Sequence, residues 1–264
     1  MKKNDKIFIA GHRGMVGSAL VRTLKEKGYT NLTLRSHLEL DLTVQEKVYT
    51  FFKEEHPDYV FLAAAQVGGI LANTTYRAEF IYSNLAIQNN VLDAAWKYNA
   101  KRLMFLGSSC IYPKHCPQPI KESYLLTGPL ETTNESYAIA KIAGLKTCEA
   151  YNYQYKTDYV TVMPTNLFGP NDNFEPETSH VMPALIQKIH QAKISKAKHV
   201  TIWGTGSPKR EFLHVDDMAS ACVFLMEKES FKDIINVGSG VDLTIRELAE
   251  MICKIIGFTG ELNF

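Results

Sequence analysis

Tyr137 and Lys141 stand four residues apart in Tyr137-Ala138-Ile139-Ala140-Lys141. On a helix that spacing puts both on one face, a turn from each other. An ammonium held close to a phenol favours the phenolate and draws its pKa down from a reference of about 10. Tyr137 then becomes a usable proton donor or acceptor near neutral pH. An ordinary amphipathic helix often shows the same pair, so the spacing alone is weak. Context strengthens it: Gly107-Ser108-Ser109-Cys110-Ile111-Tyr112-Pro113 lies upstream, and Gly11-His12-Arg13-Gly14-Met15-Val16-Gly17 lies near the N-terminus.

Such residues need a frame. Lys6-Ile7-Phe8-Ile9-Ala10 predicts a buried strand, and from Val16 to Lys27 the apolar positions Val16, Leu20, Val21 and Leu24 recur at helical spacing. Strand, glycine turn and helix are the setting a dinucleotide fingerprint requires. Gly11 permits the tight turn, Gly14 lets backbone approach a pyrophosphate, and Gly17 lets helix pack on strand. His12, Met15 and Val16 share that loop, whose helix-end amides face the phosphate. Asn31 to Leu34 is the second strand, followed by Arg35 where an NAD enzyme carries an acid for the ribose hydroxyls. Arg13 and Arg35 near one ribose point to a 2′-phosphate and hence to NADP(H). Asp41 either contacts the adenine or caps a helix beginning at Thr43.

Tyr59 to Ala63 is a third strand, running into the small residues Ala63, Ala64 and Ala65, which allow close approach to a cofactor or close packing of a long helix, Thr75 to Tyr98. Arg102 to Leu106 is the fourth strand, ending at Gly107-Ser108-Ser109-Cys110, and Tyr159 to Met163 the fifth. Strands alternating with helices argue a doubly wound parallel sheet, a Rossmann α/β fold covered by helices on both faces, with ligands at the carboxyl ends of its strands. After Pro164-Thr165-Asn166 the character changes. Leu167 to Thr178 reads as loop, then come a helix from Val181 to Lys196, a strand from His199 to Trp203, a loop from Gly204 to Arg210, and Phe212 to Met218 leading into a helix that ends near Glu227. Ile234 to Val237 reads as a further main-sheet strand, Thr244 to Ile256 as an amphipathic helix, and Glu261 to Phe264 as a strand. The expected division is a nucleotide-binding domain over 1–165 and a smaller substrate lobe over 166–264, with 212–240 returning to the main sheet.

The bulk properties exclude little but agree. The chain has 264 residues, 45% hydrophobic and 22% charged, with a net charge of +1, which points away from nucleic acid and membrane surfaces. No apolar run reaches the roughly 18 residues of a membrane span, and Ile7 to Ala10 is too short for a signal peptide core. Five cysteines without a CxxC pair fit a reduced, cytoplasmic protein and no metal site.

Taken together, GHRGMVG (Gly11–Gly17), FLGSSCIYP (Phe105–Pro113), YAIAK (Tyr137–Lys141), MPTNLFGP (Met163–Pro170), SHVMPAL (Ser179–Leu185) and REFLHVDD (Arg210–Asp217) resemble the extended short-chain dehydrogenases that act on nucleotide sugars. Within them they resemble the GDP-L-fucose synthases, NADPH-dependent epimerase/reductases. The resemblance runs from Lys6 to Phe264. It implies a GDP-linked 4-keto-6-deoxy sugar as substrate, NADP(H) as cofactor and a homodimer joined through the helices around Thr75–Tyr98 and Tyr137–Tyr155. Members of that family continue for several tens of residues past the position of Phe264, so it also implies a substrate lobe that this chain leaves incomplete.

The resemblance distributes roles as well. The ketone acidifies hydrogens on the carbons beside it, so a base can form an enolate whose charge, like that of the later alkoxide, rests on the ketone oxygen. Ser108 and Tyr137 fit that oxygen, with Tyr137 as proton donor in the reduction and Lys141 lowering the phenol pKa and holding the nicotinamide ribose. Cys110 and His180 resemble the acid/base pair for the inversions; a thiol near 8.5 and an imidazole near 6.5 straddle neutrality. Cofactor contact carries onto Ala63, Ala65, Leu106, Gly107, Ser108, Ser109, Pro164, Thr165, Asn166, Leu167 and His180, and substrate contact onto Lys188, Trp203 and Arg210. His214, Asp216 and Asp217 read as residues that fix the fold around the second lobe. Two competing readings remain distinguishable. A 4-epimerase or 4,6-dehydratase would retain NAD, against Arg35, and the dehydratase would carry an acidic pair where Ser109-Cys110 stands. A non-catalytic NADP-sensing module would have lost Tyr137 or Lys141.

Overall fold

Ile7, Phe8, Ile9 and Ala10 are all buried, which requires cover on both faces of their strand. The computed structural model, which describes residues 1–175, 178–228 and 234–264, supplies that cover. The first half alternates: β1 (Ile7–Ala10), α1 (Met15–Glu26), β2 (Leu32–Thr33), α2 (Gln45–Glu55), β3 (Tyr59–Leu62), α3 (Ile70–Thr75), α4 (Arg77–Lys97), β4 (Arg102–Leu106), α5 (Glu135–Tyr155) and β5 (Tyr159–Pro164). The second half is β6 (Asn166–Phe168), α6 (Val181–Ile194), β7 (His199–Thr201), β8 (Lys209–His214), α7 (Val215–Glu227), β9 (Ile234–Val237), β10 (Asp242–Thr244), α8 (Ile245–Ile256) and β11 (Glu261–Asn263).

The main sheet has the order β2-β1-β3-β4-β5-β9, with every neighbouring pair parallel. Alternate side chains feed two cores. Ile7, Ile9, Phe61, Met104 and Val160 pack with Leu20 of α1 and Met218 and Cys222 of α7. Phe8, Val60, Leu62 and Phe105 pack on the other side with Phe52 of α2, Val91 and Leu92 of α4 and Cys148 of α5. Fully burying one such Phe or Leu is worth about 1.5–3 kcal/mol. The strand order reverses at β1, which pairs with both β2 and β3; in an open parallel sheet that switch point opens a crevice at the carboxyl ends of the strands.

A further core forms beyond β5. Leu185 and Ile189 of α6 meet Val200, Ile202 and, from α8, Leu248 and Ile252. Around it lie a sheet of order β10-β8-β6 and the parallel pair β11-β7. Thr165 Oγ1 and Asn166 Nδ2 both donate to the Glu211 carbonyl, at 2.9 and 3.0 Å, fastening the exit of β5 to β8.

Several sequence expectations are corrected here. Leu167 and Phe168 are strand rather than loop because β8 pairs with them in parallel. Lys209 and Arg210 already belong to β8, which continues to His214 before the helix begins. The long helix from Thr75 is broken at Tyr76, whose φ of −109° and ψ of 43° leave the helical region, giving α3 and α4. Asp41 caps no helix: α2 starts at Gln45, and Asp41 closes a turn by accepting from Thr43 N at 2.9 Å and Thr43 Oγ1 at 2.7 Å. Positions 176–177 of the expected loop and 229–233 of the expected returning segment lie outside the described residues. Among the described residues no helix is long and apolar enough to cross a membrane.

Candidate active site

The glycine loop is built for closeness. Gly11 has φ +85°, and a Cβ there would sit 2.8 Å from the Ala64 backbone. A Cβ on Gly17 would lie 2.1 Å from the Gly11 carbonyl oxygen, so α1 can rest on β1 only with glycine there. Gly14 differs: a Cβ would meet nothing nearer than 3.5 Å. The protein itself does not demand that glycine, and the open space lies where α1 begins, with no acidic side chain in its first turn. A dinucleotide pyrophosphate fits this cradle of helix-end amides.

At the adenosine side, Arg13 is exposed on the loop and Arg35 is fixed. Its Nη2 pairs with Glu55 Oε1 at 2.5 Å and its guanidinium lies 5.7 Å from the Phe51 ring centre. Glu39 accepts from Ser36 N and Oγ at 2.7 and 2.6 Å. Those bonds, with smaller contributions from Arg35 and Arg13, hold its carboxyl below the usual range.

The acid/base group gathers where β4 meets α5. Ser109–Ile111 forms one tight helical turn after the strand, and Ser108 Oγ accepts from Cys110 N at 3.5 Å. Lys141 is 4% exposed; its Nζ donates to the Leu106 carbonyl at 2.8 Å and lies 5.6 Å from the Tyr137 ring centre. The Tyr137 ring stands edge-on to Phe80 at 6.4 Å. Burial raises the Tyr137 phenol well above its usual 10, with the Cys110 thiol adding to the rise, and lowers Lys141 to about 8. The expected lowering of the phenol is therefore corrected: desolvation and the Cys110 thiol both raise it, and Tyr137 is held as a protonated donor.

Cys110 is likewise pushed up to about 11 by burial, against the opposing effects of Ser108 and Lys141. His180 occupies the residue before α6. Although exposed along the cleft wall, its imidazole is lowered below 6.5 by the surrounding protein, with Asp172 partly restoring it. The two groups thus stand farther apart than their reference values, as a neutral thiol and a neutral imidazole at pH 7.

One cleft of about 2200 Å³ unites these parts. Every residue given a catalytic, cofactor or substrate role from the sequence lines it: the whole glycine loop, Arg35 and Asp41, Ala63 and Ala65, Leu106 to Cys110, Tyr137 and Lys141, Pro164 to Leu167, His180, and Lys188, Trp203 and Arg210 at the far end. There Lys188 Nζ donates to the Thr201 carbonyl at 2.6 Å and sits 5.6 Å from the ring of Trp203, which is 85% exposed. Arg210 Nη1 donates to the Lys209 carbonyl at 2.7 Å. His214 and Asp216 lie elsewhere: His214 Nδ1 accepts from Asp216 N at 3.2 Å, capping α7, and Asp216 pairs with Arg22 of α1 at 2.5 Å. Asp216 and Asp217, in the first turn of α7, belong to the helix that rests on α1 against the main sheet, whereas His214 ends β8 in the sheet beside the second lobe.

Sequence reading missed other cleft residues. Asn134 Oδ1 and Ser179 Oγ are buried polar atoms without a partner among the described residues, and both residues line the cleft. It also missed Asn73 and Asn84, whose amides hold the loop after β3. Asparagine inside a helix is poorly suited to it because its amide competes for backbone groups, and that misfit was the available signal.

The family model for the NAD dependent epimerase/dehydratase family matches residues 7–238. GDP-L-fucose synthase 1 of Arabidopsis thaliana is 61% identical over 262 residues, covering 99% of this chain and 81% of that protein. GDP-L-fucose synthase of Escherichia coli (strain K12) is 54% identical, over 98% of this chain and 84% of that one. Among solved structures, a GDP-mannoheptose C4 reductase from Campylobacter jejuni with NADP bound is 44% identical with a TM-score of 0.94, covering 100% of this chain and 88% of the other.

Proposed function

The chain belongs to the NAD dependent epimerase/dehydratase family and within it to the GDP-L-fucose synthases, and from that premise we propose that it converts GDP-4-keto-6-deoxymannose to GDP-L-fucose. Inversion at the two carbons beside the ketone precedes NADPH-dependent reduction of the ketone itself. The observation that carries this reading is an excess of proton-handling groups. Ketone reduction needs one proton donor, yet the cleft that holds Tyr137 also holds a thiol at Cys110 and an imidazole at His180.

The glycine loop, Arg13 and Arg35 hold NADP(H), which when bound supplies the hydride. Tyr137, kept protonated by burial, gives its proton to the ketone oxygen, and Ser108 hydrogen-bonds that oxygen while it carries charge. Lys141, tethered to the end of β4, holds the nicotinamide ribose. Cys110 and His180 move protons at the flanking carbons, and Lys188, Trp203 and Arg210 bind the GDP-sugar at the outer end. We divide the chain into a nucleotide domain at 1–165 and a substrate lobe at 166–264, with 212–240 returning to the main sheet, and place it in the cytoplasm. Tyr82 and Tyr153, 73% and 82% exposed on α4 and α5, support a homodimer through these helices.

Incubation with GDP-4-keto-6-deoxymannose and NADPH tests the reading. NMR of the product should show the L-galacto configuration of fucose. A reduced product retaining the starting configuration at both flanking carbons would make the protein a C4 reductase instead.

A further inference from the structure

Ala63 to Gly69 runs along the cleft between β3 and α3, and two asparagines fix its backbone. Asn84 Oδ1 accepts from Gln66 N at 2.9 Å while its Nδ2 donates to the Gln66 carbonyl at 2.9 Å. Asn73 Nδ2 donates to the carbonyls of Gly68 and Gly69 at 2.7 and 3.1 Å. Both side chains are buried, where a hydrogen bond to backbone is not traded against water.

The pinned loop abuts the segment that leads into α6. Gly69 N donates to the Thr178 carbonyl at 2.8 Å, and a Cβ on Gly69 would lie 2.5 Å from the Ser179 carbonyl oxygen. The backbone of Gly69, φ −68° and ψ −175°, is one any residue adopts, so conformation does not call for glycine there. Closeness does. The Ser179 hydroxyl is buried without a partner among the described residues, while its backbone N donates to the Glu175 carbonyl at 2.9 Å. The next residue is His180.

We infer that Gly69 is a positioning residue for His180: the loop held by Asn73 and Asn84 is the abutment that sets the Thr178–His180 backbone, and with it the imidazole, in the cleft. The inference rests on His180 exchanging protons with the sugar. Gly68 makes the contrast. A Cβ there would meet Ala72 Cβ at 2.9 Å and the Phe80 ring at 3.3 Å, with the Thr178 oxygen at 3.8 Å. It would press toward the ring that touches Tyr137, not toward His180.

Gly69→Ala must part the two backbones from 2.5 Å to an ordinary contact at 3.4 Å, about 0.9 Å. A misplacement of about 1 Å in a reacting geometry lowers rates on the order of 10²-fold. Two assays separate the functions. Deuterium wash-in beside the ketone, measured in D2O with NADP+, needs the proton-exchanging groups. Oxidation of GDP-L-fucose by NADP+ needs Ser108, Tyr137 and Lys141 without inversion. Gly69→Ala should lower wash-in at one carbon about 10²-fold and leave oxidation and NADPH binding little changed. Wild type that exchanges alongside a variant that exchanges equally well overturns the inference, as does an equal loss of exchange, oxidation and binding. Wild type that incorporates no deuterium overturns the role of His180 itself, and the inference with it. Should Gly69→Ala fail to fold, Asn73→Ala removes the side-chain bonds to the Gly68 and Gly69 carbonyls without adding an atom beside Ser179. The same selective loss then supports the inference, and an unchanged ratio of exchange to oxidation overturns it.

Discussion

Lys141 Nζ donates to the Leu106 carbonyl at 2.8 Å, tying a buried ammonium on α5 to the last residue of β4. The next residues along the chain are Gly107 and Ser108, so this one bond fixes the distance between the strand end and the helix that carries Tyr137. The same burial that makes the bond strong penalises the charge. Lysine here is a positioner whose protonation is conditional.

That condition gives stability a definite pH dependence. Lys141 titrates near 10.5 when unfolded and near 8 in the ligand-free fold, so between those values the unfolded chain binds the extra proton and stability rises with pH. Lys141→Met removes the titration. The unfolding free energy of wild type minus that of the variant should therefore increase from pH 8 toward pH 10.5 in urea titrations; a flat difference would show that the lysine is not buried as a charge.

Tyr137→Phe keeps the ring against Phe80, 6.4 Å between centres, and removes only the hydroxyl. NADPH affinity should change little while turnover falls about 10²–10⁴-fold, the usual worth of general acid catalysis. Near-normal turnover would mean that another group donates the proton.

Arg13 and Arg35 should favour NADPH over NADH, since hydrogen bonds to charged groups are each worth roughly 1.5–3 kcal/mol. The structure ranks them. Arg35 already shares its charge with Glu55 at 2.5 Å, so Arg13→Ala should narrow the preference more than Arg35→Ala, and the double variant should narrow it most. Titration of both cofactors against the three variants decides; equal wild-type affinities would remove the 2′-phosphate assignment.

The glycine loop separates folding from binding. Gly17→Ala drives a methyl to 2.1 Å from the Gly11 oxygen and should destabilise by about 1–3 kcal/mol or more, as overpacking does. Gly14→Ala meets nothing nearer than 3.5 Å, so its melting temperature should stay near wild type while NADPH affinity drops. Calorimetry and cofactor titration on both variants check this; a Gly14→Ala protein that binds normally would dissociate the cradle from the pyrophosphate.

The nucleotide half was legible in the sequence because its signals are local. Ile7 to Ala10 and Arg102 to Leu106 are apolar runs bounded by glycine or charge, and their strands appear with ends shifted by a residue at most. Lobe strands were harder to see. Phe168 lies in a strand because β6 pairs with β8, and Lys209 because β8 pairs with β10, and nothing in any of these segments alone announces those pairings. Burial was also invisible. Tyr137 and Lys141 were placed correctly on one helix face, but the sign of the phenol shift depended on how little water reaches them. Gly69 has no motif at all; its role follows from a carbonyl belonging to Ser179.

Cys110 offers the sharpest division between this protein and a simple ketone reductase. Proton exchange at the carbons beside the ketone does not require hydride transfer, so in D2O with oxidised NADP the wild-type site should still wash deuterium into both positions of the keto-sugar. The thiol is held near 11, neutral at pH 7 and within the same cleft as Tyr137 and His180. Cys110→Ala should suppress the exchange, because the tight turn Ser109–Ile111 offers no other thiol or imidazole. His180 is exposed, and water can take over part of its proton traffic, so His180→Asn should weaken exchange less completely. Ser108 and Tyr137 remain in both variants, so oxidation of GDP-L-fucose by NADP+ should persist. Undiminished deuterium incorporation by Cys110→Ala, read by mass spectrometry, would take the thiol out of the mechanism and leave it a packing residue.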